Sequence, residues 1–363
     1  MADKKIALDQ GPKRRIFDVK WEEGQVVTHK VSNDTCLVGI HINIKGSFVH
    51  NFTGTPSFRA EGAMDSLINY IEFVDDRQGQ VKYLRPHFLH MQQISAMGTP
   101  SRRLFSVGAT ENLFPTTEGA PQPGTTGQVV SIDESVYLPF EHVYCEPGGF
   151  GRETTYFNTR RSTSTVLKFH CGNMARLVAN AGGGITFANQ KFTIQVSYVE
   201  RTDFPENVVF DLWRQIQKSE PFSGQVFDKE IEVNTGTKLS GLALYTVDGS
   251  AAKAATNKLI RKLALQKNSR GAEQEIGFNT LQDANRIEYG IEPKWVNGAN
   301  RMDGFAHLTQ ISRRDMATAL DTSKEGGTST LKLKIDTNDS SLVDYTSPAT
   351  LYIVTEEVVP PKV

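Results

Sequence analysis

The chain has 363 residues and a balanced charge, 40 Lys and Arg against 41 Asp and Glu. With 38% hydrophobic and 22% charged residues it has the make-up of a globular protein with room for more than one core, neither disordered nor collagen-like. No global field draws it to nucleic acid, and both halves stay near neutral when split near residue 204, so direct nucleic-acid binding is not expected.

The N-terminal stretch carries Lys4, Lys5, Lys13, Arg14 and Arg15 against Asp3 and Asp9 and has no apolar segment of the signal-peptide type. No run approaches the roughly 18 apolar residues of a membrane span. Cys36, Cys145 and Cys171 form no CxxC pair and have no metal-type spacing, which points to reduced thiols and synthesis in a cytoplasm. From Val38 onward the dominant period is two. Ile40, Ile42 and Ile44 share one strand face, leaving His41 on the outward face. Residues 108–128, rich in Thr, Gly and Pro, read as a surface excursion, and 146–151 and Gly182–Gly184 as tight turns. Phe192, Ile194, Val196 and Tyr198 alternate in a second clear strand. Helical spacing is scarce: Val208, Val209, Leu212 and Ile216 predict a connecting helix over 205–216 with Asp203 as its cap, and short helices fit 173–180 and 312–320. Leu331, Leu333 and Ile335 alternate with lysines, and Leu351–Val354 forms the last strand. Between these two, Asp336–Ser341 reads as an Asx-type turn rather than a cation loop.

The two halves repeat each other. Ala63, Leu67, Ile68, Ile71, Phe73 and Gly79 match Ala255, Leu259, Ile260, Leu263, Leu265 and Gly271 at one offset of 192, which also pairs Leu89 with Leu281 and Gly98 with Gly290. Upstream, Leu37–Ile42 matches Leu239–Leu244 at an offset of 202; downstream, Leu167–Phe169 resembles Leu331–Leu333 and Phe192–Ile194 resembles Leu351–Ile353. The expectation is an all-β chain of two tandem eight-stranded jelly-roll sandwiches with a short connecting helix. Its parts are an arm over 1–16, a first roll over 17–203, a linker with the helix over 204–224 and a second roll over 225–363.

Catalytic chemistry finds no foothold. His87 and His90 form an HxxH, but Pro86 favours a strand or loop there, where the two side chains would point apart, so no metal site is expected. HExxH, GxSxG and a phosphate-binding loop are all missing, and the pairs Asp75–Asp76 and Glu356–Glu357 suit solvated edges. No cofactor, metal or catalytic residue is assigned. Of Trp21, Trp213 and Trp295, the last in Pro293–Gly298 would be the best platform for an alternative, carbohydrate-binding function.

Gly62–Gly79 resembles the helical turn, strand and polar hairpin of double-jelly-roll major capsid proteins of tailless icosahedral bacteriophages with an internal membrane. Ala255–Gly271 resembles the same element in the second roll, and Thr355–Pro361 is similar to that family's chain ends. The resemblance implies a virion protein and not an enzyme. It also implies a homotrimer with a pseudo-hexagonal outline that meets neighbouring trimers and penton or minor capsid proteins. Lys4, Lys5, Lys13, Arg14 and Arg15 would then form an arm that touches a neighbour or the lipid beneath the shell. A minor virion or spike protein of the same fold is the other reading.

Overall fold

A computed structural model of the chain describes residues 15–51, 62–98, 102–107, 110–113, 127–146, 150–178, 186–201, 204, 208–250, 253–268, 272–290, 295–296, 299–300, 302–323, 327–328 and 330–360. The first half contains β1 (Ile16–Lys20), β2 (Val26–Val31), β3 (Cys36–Asn51), α1 (Ala63–Leu67), β4 (Ile68–Asp75), β5 (Gly79–Leu84), α2 (Pro86–Met97), β6 (Arg103–Val107), β7 (Thr110–Leu113), β8 (Val129–Pro139), the single turn α3 (Phe150–Glu153), β9 (Phe157–Asn158), β10 (Thr165–Cys171) and β11 (Thr186–Arg201). The second half contains β12 (Leu212–Phe222), β13 (Lys229–Val233), β14 (Lys238–Val247), β15 (Ile260–Lys267), β16 (Ala272–Gly277), α4 (Phe278–Tyr289), β17 (Trp295–Val296), β18 (Ala299–Asn300), β19 (Phe305–Thr309), β20 (Leu320–Asp321), β21 (Leu331–Thr337) and β22 (Ala349–Val359).

Strand alternation decides the layers. In β10 and again in β21 every second residue is buried, so each strand turns one face to a core and one to solvent. One sheet of the first half runs β1-β11-β3-β8 and the facing one β2-β10-β4-β5; the second half gives β12-β22-β14-β19 and β13-β21-β15-β16. Counted in chain order, both halves follow 1-8-3-6 and 2-7-4-5, the winding of an eight-stranded jelly roll. Phe73, Ile40, Ile42 and Val196 lie in the first core, and Leu265, Leu242, Leu244 and Ile353 occupy the same places in the second.

The repeat extends to details. α2 and α4 are each 12 residues long, begin 192 residues apart, and end on Gly98 (φ 69°) and Gly290 (φ 65°), glycines in the left-handed conformation that closes a helix. Each roll carries a bulge at one equivalent place: Gly39 sits opposite Val199 and Leu37 opposite Glu200, while Gly241 sits opposite Glu356 and Leu239 opposite Glu357. Register also corrects two of the sequence matches. Leu167 lies opposite Phe73 and Leu333 opposite Leu265, so Leu167 corresponds to Leu333 rather than Leu331. Val196 lies opposite Ile42 and Ile353 opposite Leu244, so Ile353 corresponds to Val196 rather than Ile194. A slip of two residues keeps every side chain on its own face, so alternation alone cannot detect it.

Other expectations change as well. The connecting helix over 205–216 does not form: Leu212–Phe222 is β12, and Val208–Asp211 before it has no regular structure. The chain thus enters the second roll inside the stretch expected to be linker. Pro86 starts a helix instead of preventing one, because its missing N–H and fixed φ suit the first helical position. α2 is buried on nearly all sides, so it shows no polar face from which a helical period could be read. The counterpart of α1 at Ala255–Leu259 is a bridge and a turn, not a helix. Within 108–128, Thr110–Leu113 is a strand paired with β6, and 114–126 and Gly182–Gly184 lie outside the described residues. The stretch 173–180 contains one 3-10 turn and 312–320 two in place of the expected helices, and Asp339 forms the expected turn by accepting from the Ser341 N–H at 3.0 Å.

Because Phe73 and Leu265 are equivalent and fully buried in separate cores, Phe73→Ala should cost about 3–5 kcal/mol and Leu265→Ala about 2–5 kcal/mol. Guanidinium unfolding followed by circular dichroism measures both; a loss under about 1 kcal/mol at either site would contradict this packing.

Candidate functional site at the junction of the two rolls

The rolls are joined by hydrogen bonds as well as by packing. β12, first strand of the second roll, lies antiparallel to β22 and parallel to β5, with Gln215 beside Lys82 and Ile216 beside Tyr83. One nine-stranded sheet therefore crosses from roll to roll. Ala243, Tyr245, Val247, Phe305 and Val354 of the second roll belong to the same apolar cluster as Phe88, Met91 and Ile94 of α2, so the junction is an extension of the first core.

A chain of polar groups runs through this dry junction. Lys82 Nζ, fully buried, donates to Gln215 Oε1 at 2.7 Å and lies 4.1 Å from the centre of the Trp213 ring. Gln215 Nε2 donates to Glu356 Oε1 at 3.0 Å, and Glu356 Oε2 lies 3.0 Å from His307 Nε2. His307 Nδ1 is 2.7 Å from the Tyr289 hydroxyl, and Tyr144 stacks on the imidazole at 3.9 Å. Burial holds the Lys82 ammonium well below the usual lysine range, with Glu356 pulling the other way. His142, its ring centre 4.4 Å from that of Trp213 and tilted 33° to it, is held well below the usual imidazole range by burial and by His307 and Lys82 nearby.

A second contact anchors α2. Arg85 forms an ion pair with Asp65 of α1, and its guanidinium lies 4.6 Å from the Tyr352 ring of the second roll. The Arg85 N–H donates to Gln217 Oε1 at 3.0 Å. Burial alone would raise the Asp65 carboxyl; Arg85 and His87 outweigh it and hold the group below the ordinary range.

A carboxylate, an imidazole and a phenol in series are the parts of a proton-transfer set, but His307 and Glu356 are 1% and 0% exposed, so no substrate can approach them. The void beside Arg85, His87 and Tyr352 holds about 10 Å³, barely one water. The larger clefts, about 420 and 240 Å³, lie on the second roll, lined by Asp248, Asp303 and Asp344 and by Lys262, Glu275 and Asp336. Among the described residues no three metal-ligating side chains converge. The arrangement holds two domains in register; it does not transform a ligand.

The residues singled out in the sequence are scattered across the structure. Arg15 bridges Glu200 at 2.8 Å and Asp34 at 2.9 Å, whereas Lys4, Lys5, Lys13 and Arg14 lie outside the described residues. His87 and His90 share α2 with ring centres 6.3 Å apart, and His87 faces Tyr245. His41 is exposed as expected. Glu356 and Glu357 do not sit at a solvated edge: they are 0% and 2% exposed, because β22 is sandwiched between β12 and β14. Trp21 and Trp213 are buried, and the Trp295 side chain lies outside the described residues. Sequence reading passed over Lys82, Gln215 and His307. The signal present was Thr355-Glu356-Glu357 set between apolar Ile353–Val354 and Val358–Val359, a charge inside an apolar strand that must be answered by a partner.

No family model and no curated protein matches this chain. Solved structures do. The STIV major capsid protein aligns over 96% of this chain and 96% of its own with a TM-score of 0.64 at 13% identity. The Faustovirus major capsid protein covers 96% and 90% (TM-score 0.58, 6% identity), and that of bacteriophage PM2 95% and 98% (TM-score 0.51, 10% identity). The chain is a double jelly roll. At these identities the likeness establishes the double-jelly-roll fold, two rolls included, over 96% of the chain.

Two tests follow from the junction. Asp65→Asn leaves the Arg85 charge buried and unpaired and should cost about 3–5 kcal/mol in urea unfolding; a loss below about 1 kcal/mol would remove the pair from this account. His142 has a lowered native pKa, so the unfolded chain takes up the proton first as pH falls below the ordinary value of 6.5. Its contribution is intact above 6.5 and is lost below it, by up to about 1.4 kcal/mol per pH unit. Stability measured at pH 7.5 and 5.5 (~2 units apart) should fall less in His142→Phe than in the unsubstituted chain; equal losses would mean that other groups govern the acid limb.

Proposed function

We propose that this double jelly roll is a major capsid protein, the tile of an icosahedral viral shell built over an internal membrane. The supporting observation is the duplicated roll itself, in an arrangement shared along almost the whole chain with the STIV, Faustovirus and PM2 capsid proteins. Three copies of a chain with two similar rolls give six similar edges, so a homotrimer fills a hexagonal cell from one gene product. The sealed junction fits a structural and not a catalytic role: its polar groups face one another, not a cleft.

The partners of this reading are two further copies, neighbouring trimers, and penton or minor capsid proteins. The setting is the virion, after synthesis in a host cytoplasm. The basic stretch from Lys4 to Arg15 is the part of the chain suited to a neighbouring tile or anionic lipid. Light scattering should give three times the chain mass of 40.3 kDa, and electron micrographs of the native source should show shells in which this chain is the dominant band. A stable monomer at micromolar concentration, or a few copies per particle, would defeat the proposal.

A further inference from the structure

The polar chain at the junction brings an amine, an amide and a carboxylate into contact. Lys82 Nζ lies 2.7 Å from Gln215 Oε1, so the amide carbon is no more than about 4 Å from the amine. Strand pairing enforces the encounter. Lys82 of β5 sits directly beside Gln215 of β12, and Gln215 directly opposite Glu356 of β22. Glu356 Oε1 accepts from Gln215 Nε2 at 3.0 Å, and His307 Nε2 lies 3.0 Å from the other carboxylate oxygen. The amide can face only one way here, since a lysine donates and an ionised carboxylate accepts.

The surroundings suit a reaction between these groups. Lys82, Gln215 and Glu356 are each fully buried. Among the described residues the amine forms no ion pair; it meets Gln215 Oε1 and the ring faces of Trp213 and Phe140, whose centres lie 4.1 and 5.8 Å away. Burial favours its uncharged form, which has a lone pair to give. Exclusion of water removes the competing reaction, hydrolysis of the amide. The sealing that bars an outside substrate is no obstacle, because both reactants belong to the chain and are already positioned.

The geometry points to a covalent bond that the chain makes between its own two rolls: Lys82 and Gln215 join as an isopeptide, with Glu356 as the proton carrier. Lys82 Nζ attacks Gln215 Cδ, and the adduct holds both nitrogens on one carbon beside the Glu356 carboxylate. Glu356 takes a proton from Nζ and returns it to Nε2. The Cδ–Nε2 bond breaks, one ammonia leaves, and a Cδ–Nζ amide remains, with its single N–H free to donate to Glu356. Nothing is oxidised or reduced. The bond lies across the parallel β5–β12 contact of two residue pairs and joins positions 133 residues apart. It turns a seam held by hydrogen bonds into one that denaturant cannot part. The inference goes beyond the shell reading and does not depend on it.

Intact-mass spectrometry and peptide mapping of the folded, unsubstituted chain test this. The mass should be that of the sequence less one ammonia. A tryptic digest should contain one branched peptide joining Lys82 to Gln215, uncut after Lys82. Succinimide formation at Asn297-Gly298 would give the same loss of mass, so the branched peptide decides. Lys82→Met should lack that peptide. Glu356→Gln, which keeps the size of the side chain but cannot carry the proton, should form it about a hundredfold more slowly or worse. A chain folded by circular dichroism that still yields separate Lys82 and Gln215 peptides after prolonged incubation overturns the inference and leaves the shell reading untouched. Cross-linking at an unchanged rate in Glu356→Gln overturns the proton route assigned to Glu356.

Discussion

A lysine buried away from water is the constraint around which the molecule is arranged. Lys82 is tolerated at the junction because Gln215 accepts from it, Trp213 offers its ring face, and Glu356 lies one hydrogen bond further on. The parallel contact between β5 and β12 involves only two residue pairs, and an apolar seam of that length could slide. The polar chain from Lys82 to Tyr289 has one satisfied alignment, so it sets where the second roll sits against the first.

The bulge common to both rolls shows how the backbone serves that alignment. At Gly241 a side chain would collide with His307 Nε2, 2.5 Å from where its Cβ would stand, and crowd Glu356. At Gly39 the same place is filled by the hydroxyl end of the Tyr137 ring. In each roll the glycine makes room for a ring from the neighbouring strand, and in the second that ring is the imidazole which answers Glu356.

Much of the fold was legible because half-buried strands announce themselves: Ile40–Ile44, Phe192–Tyr198 and Leu331–Ile335 alternate cleanly and are strands. The repeat was visible as well, since its 192-residue offset spans two strands and a helix with little insertion. What stayed hidden lies at the junction, where rules learned from free surfaces fail. β12 buries Gln215 and Gln217 at alternate positions, so its period of two was written in polar letters and a helical spacing of Val208, Val209, Leu212 and Ile216 prevailed instead. α2 lost its polar face for the same reason, and Glu356 read as solvated because its partners are far along the chain. Contacts between domains are set by residues more than a hundred positions apart, and local pattern marks at most one side of them, as the charge of Glu356 inside an apolar strand does, without naming the partner.

The complete enclosure of α2 bears on how the chain comes to be made. The first roll emerges from the ribosome before Tyr245, Phe305 and Val354 exist to cover Phe88, Met91 and Ile94. Until then it holds a sticky helix and an uncapped lysine beside an open sheet edge. The first half is therefore not a finished body waiting for a second one. The nascent polypeptide reaches its native state only when the later half arrives, and a chain interrupted midway leaves a fragment prone to aggregate rather than a finished roll.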